Sequence, residues 1–350
     1  MSGKRRHFIN HLHPQKVSLR TLSPLSTMGF GIAALTCLGT LFVTGLTLFL
    51  YYNPDQEQAY EKILHITTTL RYGRLVRDLH YVSANALLIL SVLHLIRVFL
   101  TAGYKDRKLC WMYGLGLLSL TLTANFTGYI LPWDQISYWA VKVGASLMGY
   151  FPLLGEDLRR FVLAGAEIGA DTLPRAFAIH AGLLPPLFLI LTGLHLWRLR
   201  KSGGLAAPPE ARSENLPADP WLYRAEGAVA LLTFALLLLL AANFLHSPIF
   251  ERPNPQHPPN PVKAPWYFVG IQEMVSHSAF WGGVMIPSLI TLFLVLAPFL
   301  DRSRSSGGIW FARDRWIMNS LFVLLLLSQI GCIIVGQWLR GPNWAFLGLF

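Results

Sequence analysis

Residues 77–97 read RDLHYVSANALLILSVLHLIR. His80 and His94 lie in an apolar stretch with no charge between them, and Arg77 and Arg97 stand just outside. At 100° and 1.5 Å per residue, 14 residues return a helix to within about 40° of the same face, about 21 Å further along. The two imidazoles therefore point the same way at two depths. Residues 179–198 repeat the plan, with His180 and His195 followed by Arg198. Their step of 15 is about 60° out of phase, and Pro185-Pro186 between them can bend or adjust a helix to absorb the extra residue. A lone intramembrane histidine could be a satisfied structural group. Four in two matched pairs are different, because ionisable residues inside a membrane are functional by default. Neutral imidazole is a standard axial ligand of haem iron, so two apolar helices with a histidine near both ends can clamp two haems, one above the other.

Of the 350 residues 53% are hydrophobic and only 13% charged. Seven apolar runs, at about 27–50, 79–101, 111–131, 178–199, 225–246, 281–300 and 316–339, match the length a bilayer requires. Backbone groups in lipid must be satisfied internally, so these runs are helices, and the fold class is an all-α integral membrane protein. The net charge of +11 could suggest nucleic acid, but its distribution follows topology. With the N-terminus inside, the inner segments hold 17 Lys/Arg against 11 in the longer outer ones, which the positive-inside rule supports. His80 and His180 then share an outer level, and His94 and His195 an inner one. Residues 1–25 are a basic arm carrying His7, His11 and His13, suited to anionic headgroups or to proton supply, with no signal-peptide pattern. Cys37, Cys110 and Cys332 are scattered without CxxC or CxxCH, so neither a disulfide framework nor a standard c-type haem attachment is expected.

Gly31/Gly45 in the first span and Gly114/Gly128 in the third are also 14 apart. Glycine admits close approach, and two pairs at the ligand spacing read as walls for two flat cofactors, although small residues also let helices pack. Arg77 and Arg97 suit haem propionates and can equally snorkel. Trp133, Tyr138 and Trp139 open a long outer loop with the make-up of an interfacial helix. The polar, Pro/Gly/Ala-rich segment 201–224 is a linker. It divides a four-helix di-haem domain (1–200) from a three-helix domain (225–350). In the second, a proline-stiffened loop runs into Pro265-Trp266-Tyr267-Phe268 and reads as a pocket wall or docking surface.

These motifs resemble cytochrome b of the quinol-oxidising cytochrome bc and b6f complexes over nearly the whole chain. The resemblance rests on both His pairs, both glycine pairs, Gly128-Tyr129 leading into Leu131-Pro132-Trp133-Asp134-Gln135, and the loop ending in Trp266-Tyr267. The 15-residue step and the run PWDQISYWAVK are similar to the cytochrome b6 branch, and the C-terminal half to subunit IV, as if the two were fused across 201–224. The resemblance implies a Q cycle in a bacterial inner membrane with the N-terminus cytoplasmic. It implies two bis-His haems b, a Rieske iron–sulfur protein, a c-type cytochrome and a homodimer. It further implies an outer quinol site at Tyr129, Pro132, Trp139, Pro265, Trp266 and Tyr267, and an inner quinone site at Arg200, with His13 near the place of a missing acidic partner.

Two departures stand out. The family's Pro-Glu-Trp-Tyr is here Ala264-Pro265-Trp266-Tyr267, so the usual glutamate is absent; Glu273, about two helical turns on, is the candidate replacement, or else a structural acid. Where b6-type proteins attach an extra haem through cysteine, this chain has Gly29, so no covalent third haem is expected. A flavin-linked reductase is disfavoured by the absence of G-x-G-x-x-G. A di-haem anchor passing electrons between a dehydrogenase and the quinone pool is the alternative, and the PWY loop argues against it. A haem-free transporter is the remaining class.

Overall fold

The computed structural model describes residues 16–18, 27–202, 204, 206, 215–218, 220–304 and 307–348. In chain order the elements are β1 (Lys16–Ser18), α1 (Phe30–Phe49), α2 (Ala59–Thr68), α3 (Gly73–Leu100), α4 (Lys108–Ile130), α5 (Gln135–Met148) and α6 (Gly155–Leu163). They continue with α7 (Thr172–Lys201), β2 (Asn215–Pro217), α8 (Trp221–Asn243), α9 (Trp266–His277), α10 (Trp281–Leu300) and α11 (Arg313–Leu339). Seven of these, α1, α3, α4, α7, α8, α10 and α11, are long and apolar enough to cross a membrane. Their outward side chains, Val43, Leu46, Leu231, Leu232 and Leu324 among them, are largely exposed, a surface that lipid covers and water would not tolerate.

The seven runs read from hydropathy coincide with these helices, and the ends differ for a physical reason. α3 starts at Gly73 rather than near 79 because its first turns carry Arg77 and Asp78, which are buried and paired with another part of the chain. Hydropathy counts such residues as boundary. α8 likewise begins at Trp221, inside the polar linker. That linker also supplies β2, which pairs antiparallel with β1 (Val17 opposite Leu216), a tie between the two ends of the first half that no sequence signal announced.

α7 explains the 15-residue step. It is α-helical over Thr172–Phe177, opens into a π turn over Ala178–Leu183, and resumes as α over Leu184–Lys201. A π turn holds one residue more than an α turn, so His180 and His195 return towards the phase of His80 and His94. The cause is local: Pro185 and Pro186 donate no N–H, and each ring crowds the carbonyl four residues earlier, which falls at Ala181 and Gly182 inside the π turn. α10 repeats the device, with a π turn at Trp281–Met285 ahead of Pro287.

α1 lies along α3, and α4 lies along α7. These two pairs face one another, with the histidine-bearing α3 and α7 on opposite sides of the space between them. α8 closes the bundle against α1 and α3; Leu237 and Ala241 join a buried cluster with Cys37, Leu79, Leu87 and Phe188. α9 packs on α11, and α10 meets α4.

Candidate functional site

The four histidines fall at two levels between the helix pairs. At one level His80 and His180 face each other with ring centroids 6.4 Å apart and planes at 65°. Behind each ring is a glycine: a Cβ on Gly45 would lie 3.2 Å from His80 Cε1, and one on Gly128 only 2.7 Å from His180 Cε1. At the second level Gly31 backs His94 and Gly114 backs His195, at 3.6 and 3.4 Å. A glycine thus stands behind each imidazole edge; a Cβ would clash at Gly128 and be tight at Gly45, while at Gly31 and Gly114 it would make ordinary contact.

Hydrogen bonding defines which ring nitrogen is free. His80 Nδ1 is 2.9 Å from Thr44 Oγ1, and that oxygen is 2.7 Å from Thr40 O. A carbonyl has no proton to offer, so the single hydroxyl proton of Thr44 lies in that contact, and His80 Nδ1–H must donate to Thr44. His180 Nδ1 meets Thr127 Oγ1 at 3.0 Å while Thr127 donates to Thr123 O at 2.8 Å, which leads to the same tautomer. His195 Nδ1 donates to the main-chain carbonyl of Cys110 at 3.0 Å. In all three rings Nε2 is left as a bare lone pair, the arrangement in which an outer partner fixes the orientation of a metal-ligating imidazole. A metal–nitrogen bond of about 2 Å plus roughly 1.1 Å from nitrogen to centroid puts two ligating rings about 6 Å apart, and the observed separation agrees. The residues present thus fit a flat iron cofactor held between His80 and His180.

The charged candidates are more committed than their sequence positions suggest. Arg77 is buried and donates through Nη1 to Ser247 O (3.0 Å) and through Nη2 to Pro248 O (2.6 Å). Asp78 accepts from His246 Nδ1 and Ser247 N, both at 2.8 Å. Arg97 is buried in the last turns of α3. Arg200 is half-buried in the last turn of α7, and His13 lies outside the described residues.

The aromatic run gathers at the His80 level. Pro265 caps α9, Trp266 Nε1 donates to Asn85 Oδ1 on α3 at 2.8 Å, and Tyr267 OH reaches Asn125 O on α4 at 3.4 Å. Phe268 meets Phe126 edge-on, and Tyr129 and Pro132 follow on the same end of α4. Trp139 sits on α5 with Nε1 buried and without a partner among the described residues. Glu273 does not turn towards this cluster. Its carboxylate takes Arg340 Nη2 at 2.6 Å, Arg340 Nε at 3.0 Å and Trp344 Nε1 at 2.9 Å. Burial raises its pKa, but the hydrogen bonds from Arg340 and Trp344 and the Arg340 charge more than offset this, leaving it below the ordinary value. Glu273 is thus buried and ion-paired.

Comparison with known proteins gives matches over two stretches of the chain. The family described as "Cytochrome b/b6/petB" matches residues 17–203, and "Cytochrome b(C-terminal)/b6/petD" matches residues 252–350. The chain belongs to the cytochrome b family. It is 36% identical over 174 residues to cytochrome b6 of Acaryochloris marina, covering 49% of this chain and 81% of that protein. To the cytochrome bc complex cytochrome b subunit of Chlorobaculum thiosulfatiphilum it is 33% identical over 276 residues, 75% of this chain and 63% of that one. A solved structure, "Hyperthermophilic respiratory Complex III", superposes with a TM-score of 0.81 at 27% identity, covering 94% of this chain and 87% of the other. Membership makes this a multi-pass cytochrome b of the bc-complex class, and it implies b-type haems.

Sequence reading missed Thr44 and Thr127, although a signal existed. Each stands immediately before a glycine of the His80 level, in Thr44-Gly45 and Thr127-Gly128, whereas the other level has Phe30-Gly31 and Tyr113-Gly114. Asn85, Asn125 and the Arg340 clasp were missed because their partners are distant in sequence.

Proposed function

We propose that this cytochrome b is the membrane core of a quinol:c-type cytochrome oxidoreductase, dimeric and embedded in a bacterial inner membrane. Its partners are a Rieske iron–sulfur protein and a c-type cytochrome. The observation that carries the reading is the facing pair His80 and His180, 6.4 Å apart with both Nδ1 atoms engaged. His94 and His195 stand at the other end of the same helices, each with a glycine behind its ring. Two b-type haems, when bound, supply one-electron transfer across the apolar layer.

The residues divide the remaining work. His80 and His180 hold one iron through Nε2, and His94 and His195 hold the other. Gly45, Gly128, Gly31 and Gly114 seat the four rings, and Arg77 and Arg97 supply positive charge for propionates at the two ends. The distribution of Lys and Arg supports a cytoplasmic N-terminus and an outward His80 level. Quinol binds at that level among Tyr129, Pro132, Trp139, Pro265, Trp266 and Tyr267, with Asn85 holding the indole of Trp266. Its oxidation releases two protons outward. One electron leaves to the Rieske partner, and the other crosses to a quinone near Arg200 and His13. Glu273 anchors α9, so the proton-accepting role of the family's glutamate does not pass to it.

The test is purification of the intact complex from its native membrane. Two b-type haems per chain in a reduced-minus-oxidised spectrum, a Rieske signal by electron paramagnetic resonance, and quinol-dependent reduction of a c-type cytochrome are the expected results. A complex with two b haems but no Rieske-type cluster would overturn the assignment in favour of a di-haem anchor. Absence of b haem would remove both.

A further inference from the structure

The two levels differ in what holds their Nδ1 atoms. At the His80 level both rings meet a side-chain hydroxyl, Thr44 on α1 and Thr127 on α4, and His180 also has the main-chain carbonyl of Ala124 beside it. At the other level His195 Nδ1 bonds a main-chain carbonyl, Cys110 O at 3.0 Å, with Cys110 Sγ further off at 3.6 Å. Thr44 and Thr127 are both buried, and each hydroxyl is committed on its other side to a carbonyl one turn earlier in its own helix. They approach from opposite helix pairs, so that a row runs Thr44–His80, then the space between the rings, then His180–Thr127. Both threonines therefore serve the same space from its two sides.

A hydroxyl that can only accept from the ring does two things. It fixes the imidazole rotation, because the ring plane must carry Nδ1–H towards Oγ1. It also draws Nδ1–H towards an acceptor, which raises the basicity of Nε2. A more basic axial ligand favours the more highly charged ferric iron, and so lowers the reduction potential. We infer that Thr44 and Thr127 are positioning residues that act on one and the same haem, each lowering its potential from one axial side. This rests on the haem reading above and goes beyond it: the potential at the His80 level is open to single side-chain substitution, whereas the backbone bond to His195 is not.

Valine has nearly the shape of threonine, so Thr44→Val and Thr127→Val leave packing close to intact while removing the hydroxyl acceptor of a ring N–H. The experiment is a potentiometric titration of the two b components in the purified complex, with haem counted separately by pyridine haemochrome. Each substitution is expected to move the same component to higher potential, by about a tenfold change in the ferrous-to-ferric ratio at fixed ambient potential, or 59 mV for one electron. The double variant moves it further, Thr44→Ser restores it, and the second component stays in place throughout. Thr121→Val, also buried on α4 but with its hydroxyl on Leu117 O, moves neither. If a variant instead loses haem, the same single component disappearing in both Thr44→Val and Thr127→Val supports the inference. Movement or loss of different components in the two variants, of both components together, or of none while two haems remain, would overturn it. Wild-type complex lacking b haem would fail the underlying haem reading and is distinguished by the haemochrome count alone.

Discussion

At the scale of single residues, Glu273 carries the sharpest lesson. By position it is the nearest acid beyond a quinol-pocket motif that lacks its glutamate. By geometry it is the centre of a clasp, because Arg340 and Trp344 come back from the far end of α11 and close on it. The Arg340 guanidinium also stacks on Phe346 at 3.7 Å, so the clasp is covered as well as paired. Removing one partner of a buried pair leaves the other charge uncompensated and costs about 3–5 kcal/mol. Arg340→Leu is therefore expected to lower the melting temperature of the purified protein and to loosen α9, read as faster proteolysis near Trp266. Glu273→Gln, which keeps one acceptor oxygen in place, costs less. The pH dependence has a definite sign. A depressed folded pKa stabilises fully above the ordinary glutamate value of 4.5 and is lost as pH falls through the lower folded value. The advantage of wild type over Glu273→Gln in thermal melts should hold from neutral pH to about that value and shrink below it. Nothing in the local sequence announces this clasp, since Glu273 and Arg340 are 67 positions apart.

At the scale of elements, what was legible and what was not separates by the source of stability. The seven spans were readable because a bilayer demands long apolar runs whatever their neighbours are. α6, sequence GEDLRRFVL, was not, since it is polar and held by contacts such as the Arg159 and Arg160 pairs with Glu156. The buried charged first turns of α3 were missed for the same reason. The spacing of the histidines was readable in the sequence, the structure brings His80 and His180 face to face, and a π turn in α7 lies within the longer step. That gives a paired prediction. Replacing Pro185 and Pro186 with alanine removes the cause of the π turn, lets α7 run as regular α-helix, and turns His180 about 60° from the phase of His195. Spectral loss or broadening of a b component is expected. Deleting Ala181 in the same background removes the extra residue, so recovery of two normal components should follow. If the double alanine variant keeps both haems unchanged, the π turn is not what aligns the pair.

At the scale of the whole molecule, the polar linker joins the halves covalently, but other contacts fasten them. Near the His94 end, Arg315 at the start of α11 is fully buried, donating to Asp301 Oδ2 at 2.8 Å and to Tyr104 OH at 2.7 Å, and Tyr104 OH donates to Asp301 Oδ2 at 2.7 Å. Burial raises the Asp301 pKa, but Ser303, Tyr104 and Arg315 together hold it well below the usual carboxylate range. Near the His80 end, Arg77 and Asp78 take Ser247, Pro248 and His246, while Asp134 accepts from Phe250 N at 3.1 Å. The first half thus grips the second at both faces through residues outside the linker. A chain cut between Ala206 and Asn215 and expressed as two pieces should therefore assemble, with the halves co-purifying in detergent and two b-type haems retained. Arg315→Met in the split protein leaves buried Asp301 with Lys105 at 3.6 Å as its remaining charged partner, an under-compensated charge, and should weaken co-purification sharply. In the uncut chain the same substitution lowers thermal stability but permits assembly, because the linker keeps the effective concentration of the halves in the millimolar range. Adding Asp301→Leu removes the under-compensated carboxylate, so partial recovery of co-purification in the split double variant is the expected result. Failure of the split wild type to assemble would mean that the linker, and not these two grips, holds the halves together.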